Sequence, residues 1–189
     1  MAFSKGGWVA AVIIGLILVL AIMAVSTYNS LARKDVQVGE TWAEIDNMLL
    51  RRNDLIPNLV ETVKGYATHE KSLFENIANA RAKLAGSATI PDKIGASNEL
   101  SGFLGRLLAI AENYPQLKAN ENFLKLQDEL AGTENRIAVS RTRYNEAVKN
   151  FNTALRVFPS NIMAGIVGYE KKTFFEVPDT SKEVPQVKF

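Results

Sequence analysis

The chain has 189 residues, a formal charge of only +2, no cysteine and a single histidine. The absence of cysteine excludes a disulfide scaffold and a lipoprotein anchor. Basic residues alternate with acids, as in RKD at 33, KLQDE at 125 and EKK at 170, so no concentrated basic face is available for nucleic acid.

The first element is apolar. No charge occurs from Gly6 to Ala32, and the run Trp8 to Val25 (WVAAVIIGLILVLAIMAV) approaches the ~20 residues that cross a hydrocarbon core of ~30 Å as one helix. Residues 8–28 are therefore predicted to form a transmembrane helix, with the lipid bilayer as partner. The rival reading is a cleaved signal peptide, with Ala24 and Ser26 near the cleavage point, although the apolar part of such a peptide is only about 7–15 residues long. Lys5 precedes the run, whereas Arg33 and Lys34 follow at once and Arg51 and Arg52 come soon after. This bias predicts a short extracytoplasmic N-terminus at residues 1–7 and a cytoplasmic domain beyond the span.

Removing the span leaves about 155 residues, enough for one ordinary domain. From Leu31 onward, Val38, Trp42, Ile45, Leu49, Ile56, Leu59, Val63 and Tyr66 form a stripe at helical spacing, which predicts a long packed helix. No proline separates it from the span, so the membrane helix is expected to run straight into the domain, with Gly39 the weak point. Pro57 removes a backbone donor and predicts a bend near Asn53 and Asp54, or two abutting helices. Gly65 and Thr68 mark a break, with Thr68 as the cap of a second helix carrying Leu73, Ile77, Ala80 and Leu84 and ending at Gly86. GSATIPDK, from 86 to 93, reads as a turn before a third stripe of Leu100, Phe103, Leu104, Leu107, Ile110 and Ala111. Tyr114 and Pro115 close that helix.

The longest pattern follows. Phe123, Leu130, Ile137, Tyr144 and Phe151 recur every seven residues, with Leu126, Val148 and Leu155 on the same side. The spacing predicts a coiled-coil-like helix from about Gln116 to Phe158, ~60 Å long and stopped by Pro159. NIMAGIVGYEKKTFF is a short apolar and aromatic segment, and DTSKEVPQVKF reads as a tail. The predicted class is all-α: an N-terminal transmembrane helix followed by a long antiparallel four-helix-type bundle. The expected divisions are the bundle at 30–158, an apolar C-terminal segment at 159–176 and a flexible tail at 177–189.

Chemistry-bearing motifs are missing. A zinc site built on His69 alone would need an unusual ligand set, and HEKS is not HExxH. A di-iron centre needs Glu-x-x-His on two helices, whereas Tyr66 stands three residues before His69. No GxxxxGKS/T loop or GxSxG elbow occurs, and serines without a histidine base have no obvious activator. His69 is read as a surface residue in the first turn of a helix. No catalytic residue, metal ligand or cofactor is expected.

Two polar features need partners. Arg52 falls on the apolar seam of the first stripe, and Gln127, Glu134 and Arg141 fall one heptad apart on the track that Val148 and Leu155 continue. An unpaired buried charge costs several kcal/mol, so Arg52, Glu134 and Arg141 are predicted to form a paired interior network. Such a network fixes helix register; the alternative is a polar pocket for an anionic ligand. Pro159 to Phe175 is a predicted interaction segment, in which Ile162, Ile166, Phe174 and Phe175 flank Lys171 and Lys172. It is expected to dock on its own bundle, on a neighbouring subunit or on the lipid surface.

The chain resembles the LemA family of bacterial membrane-anchored helical proteins. The resemblance rests on YNSL at 28, TWAEID at 41, RRNDLIPNLVETVKGYATHE at 51, AENYPQLKANENFLKLQDEL at 111, TENRIAVSRTRYNEAVKNFN at 133 and FPSN at 158, and covers most of residues 28–176. Asn53 stands where the family often has histidine. The resemblance implies one N-terminal span, a short external N-terminus and an antiparallel helical domain inside, with no catalytic residues to transfer.

The resulting expectation is a non-enzymatic, single-pass protein of the bacterial cytoplasmic membrane that self-associates as a structural scaffold, a homo-oligomer built by heterologous contacts. The alternative is a membrane-anchored adaptor or signalling module whose bundle binds a soluble or envelope-protease partner.

Overall fold

The computed structural model describes residues 5–176. Residues 1–4 of the predicted N-terminal segment, and the predicted tail at 177–189, lie outside the described residues. The described chain is all-helical: α1 Lys5–Lys64, α2 Lys71–Gly86, α3 Ile90–Ala111, α4 Pro115–Lys118, α5 Glu121–Ala154 and α6 Ser160–Val167.

Helix α1 contains the apolar run and is long and apolar enough to cross a membrane. None of that run is buried against protein. The helix continues without interruption through Gly39 and Pro57. Proline deletes a single N–H donor, and Ile56, Leu59 and Val60 beside it are all buried, so packing holds the remainder of the ladder and no second helix begins there.

The chain divides into two compact units. The first comprises the described residues through Thr41 together with Glu146–Lys172. Its apolar centre gathers Leu31 of α1, Ala154 of α5 and Ala164 of α6, with Leu155, Met163 and Tyr169 packed around them. The second comprises Trp42–Asn145 and the described residues from Thr173 on. Here Ile45, Leu49, Ile56, Leu59 and Val63 of α1 are buried, as are Leu73 and Ile77 of α2, Leu100, Leu104 and Leu107 of α3, and Phe123, Leu130, Ile137 and Tyr144 of α5. Polar contacts join the same helices: Lys93 to Asp46 at 2.6 Å, Lys83 to Glu99 at 2.7 Å and Arg81 Nε to Asn53 Oδ1 at 3.2 Å.

Several local boundaries differ from the sequence expectation. Thr68 does not cap α2, which begins at Lys71 after Glu70 with no side-chain cap, and His69 sits exposed in the turn before it. IPDK is not turn but the start of α3. Thr89 accepts from the Asp92 amide at 3.3 Å and Pro91 occupies the first turn, where its missing donor costs nothing. The continuous helix expected from Gln116 to Phe158 is split. Asn120 Oδ1 accepts from the Phe123 amide at 3.0 Å, an N-cap that separates α4 from α5. At its other end α5 stops at Ala154, ahead of Pro159, because the Ser160 hydroxyl donates to the Ala154 carbonyl at 2.6 Å. Gly168, at φ 79°, terminates α6 in the left-handed region, which glycine enters without a Cβ clash.

Candidate functional site

The most unusual group in the second unit is Arg52. Among the described residues it is one of the largest fully buried side chains, 1% exposed, and it lies on the α1 stripe one turn from Leu49 and Ile56. Helix α3 meets it with two serines one turn apart: Nη1 donates to Ser101 Oγ at 2.8 Å, and Nη2 donates to Ser97 Oγ at 2.8 Å and to the Ser97 carbonyl at 3.2 Å. Helix α5 supplies the countercharge, with Glu134 Oε2 at 2.9 Å from Nη1. Nε alone has no hydrogen-bond partner. Both terminal nitrogens are thus saturated by neighbours from two other helices, an arrangement that holds three helices in one register.

The predicted trio is brought together only in part. Arg52 and Glu134 pair, but Glu134 is 53% exposed, so its carboxylate sits at the rim rather than in the interior. Arg141 takes no part: its guanidinium lies 5.7 Å from the centre of the Phe175 ring, a cation–π separation. Ser97 and Ser101 were not anticipated; the only hint is their i, i+4 spacing beside Leu100 and Leu104.

The predicted interaction segment also divides. Phe175 is 3% exposed and packs against Trp42, with ring centres 6.4 Å apart; Trp42 in turn meets Tyr144 edge-on at 5.4 Å. Two side chains of α5 hold the backbone beside it. Asn145 Oδ1 accepts from the Phe175 amide at 2.8 Å while its Nδ2 donates to the Phe175 carbonyl at 3.0 Å, and the Tyr144 hydroxyl donates to the Thr173 carbonyl at 2.8 Å. Burial pushes the Tyr144 phenol above its ordinary pKa, because the phenolate would lose its hydration. In the first unit Asn152 grips Lys172 the same way, accepting from its amide at 2.9 Å and donating to its carbonyl at 2.9 Å. Phe174 is 38% exposed, and Ile162 and Ile166 are 54% and 74% exposed.

The second unit also carries an open groove of about 480 Å³. Met48 and Val139 line its apolar part and Glu44, Arg136 and Arg143 its charged edge, with Glu44 and Arg143 3.6 Å apart. Among the described residues no group of three His, Cys, Asp or Glu side chains is placed to hold a metal ion.

The sequence is similar to two sets of known proteins. It is 25% identical to the magnetosome protein MamQ 2 of Paramagnetospirillum magneticum, over 97% of this chain and 79% of the relative. It is 27% identical to the magnetosome protein MamQ of Magnetospirillum gryphiswaldense, over 82% of this chain and 66% of the relative. It is 25% identical to the protein LemA of Metamycoplasma hominis, over 72% of this chain and 63% of the relative. The pattern of the LemA family matches residues 41–189, which is most of the chain, and the protein belongs to that family.

Proposed function

We propose that this protein is a non-enzymatic scaffold of the bacterial cytoplasmic membrane, anchored by residues 8–28 and self-associating through its helical domain. The observation that carries the reading is the exposure of the apolar run of α1, where Ile13, Ile14 and every residue from Leu16 to Leu20 are more than half exposed: these side chains require a solvent that is not water. The N-terminus lies outside and the domain in the cytoplasm, as the placement of Arg33 and Lys34 favours.

The domain is an antiparallel four-helix-type bundle. Support comes from the pairs Glu44–Arg143 and Arg52–Glu134, which match positions in opposite order along α1 and α5. Lateral assembly of copies uses exposed surface such as the groove at Met48 and Val139, where apolar side chains sit beside charges of both signs. Relatives named for the magnetosome, rather than for a reaction, fit a structural role.

The test is the mass and shape of the full-length protein in mild detergent, beside a chain lacking residues 1–29. A large, defined assembly supports the scaffold. A monomer in both forms overturns it in favour of an adaptor that presents the bundle to a protein partner.

A further inference from the structure

We infer that the turn after α5 and helix α6 form a second membrane contact, an apolar foot that enters the interfacial layer of the bilayer beside the anchor. The inference rests on the reading that the apolar run of α1 spans the membrane, and it concerns only the first compact unit.

Ala154 at the end of α5 and Ala164 in α6 both pack on Leu31, six residues beyond the last residue of the apolar run, Val25. At 1.5 Å per residue that places the contact about 9 Å past the run. A ~30 Å core needs about 20 residues, two more than the run itself provides, so Leu31 falls in the ~5–8 Å of headgroup layer on that side. The chain then leads away from the span, since Lys172 reaches Asp35, one turn further along α1, at 2.8 Å.

Val157 and Phe158 in the turn are 48% and 78% exposed, and Ile162, Ile166 and Val167 of α6 are 54%, 74% and 42% exposed. Five large apolar side chains on about ten consecutive residues exceed what the small centre at Leu31 needs. Water is a poor solvent for such a patch. The headgroup–acyl boundary, which accepts apolar faces to a depth of about 5–10 Å, is the surface the position supplies. Exposed Arg156, next to Val157 in the chain, suits anionic headgroups.

The experiment uses the full chain, which has no native cysteine, carrying Leu18→Cys, Phe158→Cys, Ile166→Cys or Glu129→Cys. Each thiol takes an environment-sensitive fluorophore, and the protein is reconstituted in phosphatidylcholine–phosphatidylglycerol vesicles with and without acyl-chain spin labels. Phe158 and Ile166 are mostly exposed, so the labels remove no core contact, and far-UV circular dichroism verifies the fold. Quenching of about twofold or more at Leu18, Phe158 and Ile166, with none at Glu129, is the expected result for a probe within reach of the acyl chains. Quenching at Leu18 alone overturns the foot and leaves the anchor intact. No quenching at Leu18 overturns the anchor and with it the foot. Water-shielded emission at Phe158 and Ile166 without lipid quenching identifies a second copy of the chain as the covering surface and also overturns the foot.

Discussion

Arg52 and Glu134 stand 2.9 Å apart with opposite surroundings: the guanidinium is 1% exposed and the carboxylate 53%. The pair is therefore a buried cation reaching out to a wet anion. Ser97 and Ser101 supply the rest of its solvation from the dry side. Removing either partner has unequal consequences, because only one of them is cut off from water.

For that reason Glu134→Ala is expected to cost about 1–2 kcal/mol, since water at the rim replaces much of the lost carboxylate. Arg52→Ala, which leaves a cavity and removes the donor that both serine hydroxyls accept from, is expected to cost about 3 kcal/mol or more. Arg52→Met refills the space without a charge and should recover part of that loss. Thermal unfolding of the full-length variants in detergent, followed by circular dichroism, ranks the three. A larger loss from Glu134→Ala than from Arg52→Ala would show that the arginine is not the buried element.

Tyr144 links the fold to alkaline pH. Its phenol has a raised pKa in the folded protein, from an ordinary value of 10.0, so the folded state holds its proton where the unfolded chain releases it. The corresponding stability is complete below pH 10.0 and is lost as pH rises through the higher folded value. Tyr144→Phe should cost about 1 kcal/mol at neutral pH through the lost bond to Thr173 and flatten this alkaline decline. Parallel unfolding curves of wild type and variant above pH 10.0 would contradict the assignment.

The amide clamp on Phe175 predicts a local effect. Asn145→Ala removes both hydrogen bonds to the Phe175 backbone and is expected to cost about 1–2 kcal/mol. Phe175→Ala strips the ring from Trp42 and Arg141 and should cost about 3 kcal/mol. In hydrogen exchange, protection of the Phe175 amide should fall in Asn145→Ala while that of α2 and α3 stays unchanged; retained protection would mean that the ring alone holds the segment.

Gly39 offers the opposite sign. It lies inside α1, and an added Cβ there meets nothing within 4 Å. Gly39→Ala should raise stability by about 0.5–1 kcal/mol by reducing the freedom of the unfolded chain. A lowered melting temperature would reveal a neighbour pressed against this position in the native assembly.

The helices were legible where burial repeats. Phe123, Leu130, Ile137, Tyr144 and Phe151 recur at sevens and all are buried, because a side chain's angle around a helix follows from its position in the chain. The same regularity placed Arg52 inside, on the seam with Ile45 and Leu59. The ends of α5 were not legible: Asn120 and Ser160 interrupt a pattern whose periodicity carries on past them, and a cap depends on one side chain's rotamer rather than on any repeat.

Local periodicity thus determined which face of each helix is apolar, and hence the all-helical class, the exposed apolar run and the burial of Arg52. Partner choice belonged to the tertiary structure. Glu134 and Arg141 occupy equivalent heptad positions on α5, yet one meets Arg52 and the other lies over the Phe175 ring. Their neighbours come from other helices and from a distant extended segment, and the relative height and rotation of those elements are set by packing that no repeat within a single helix encodes.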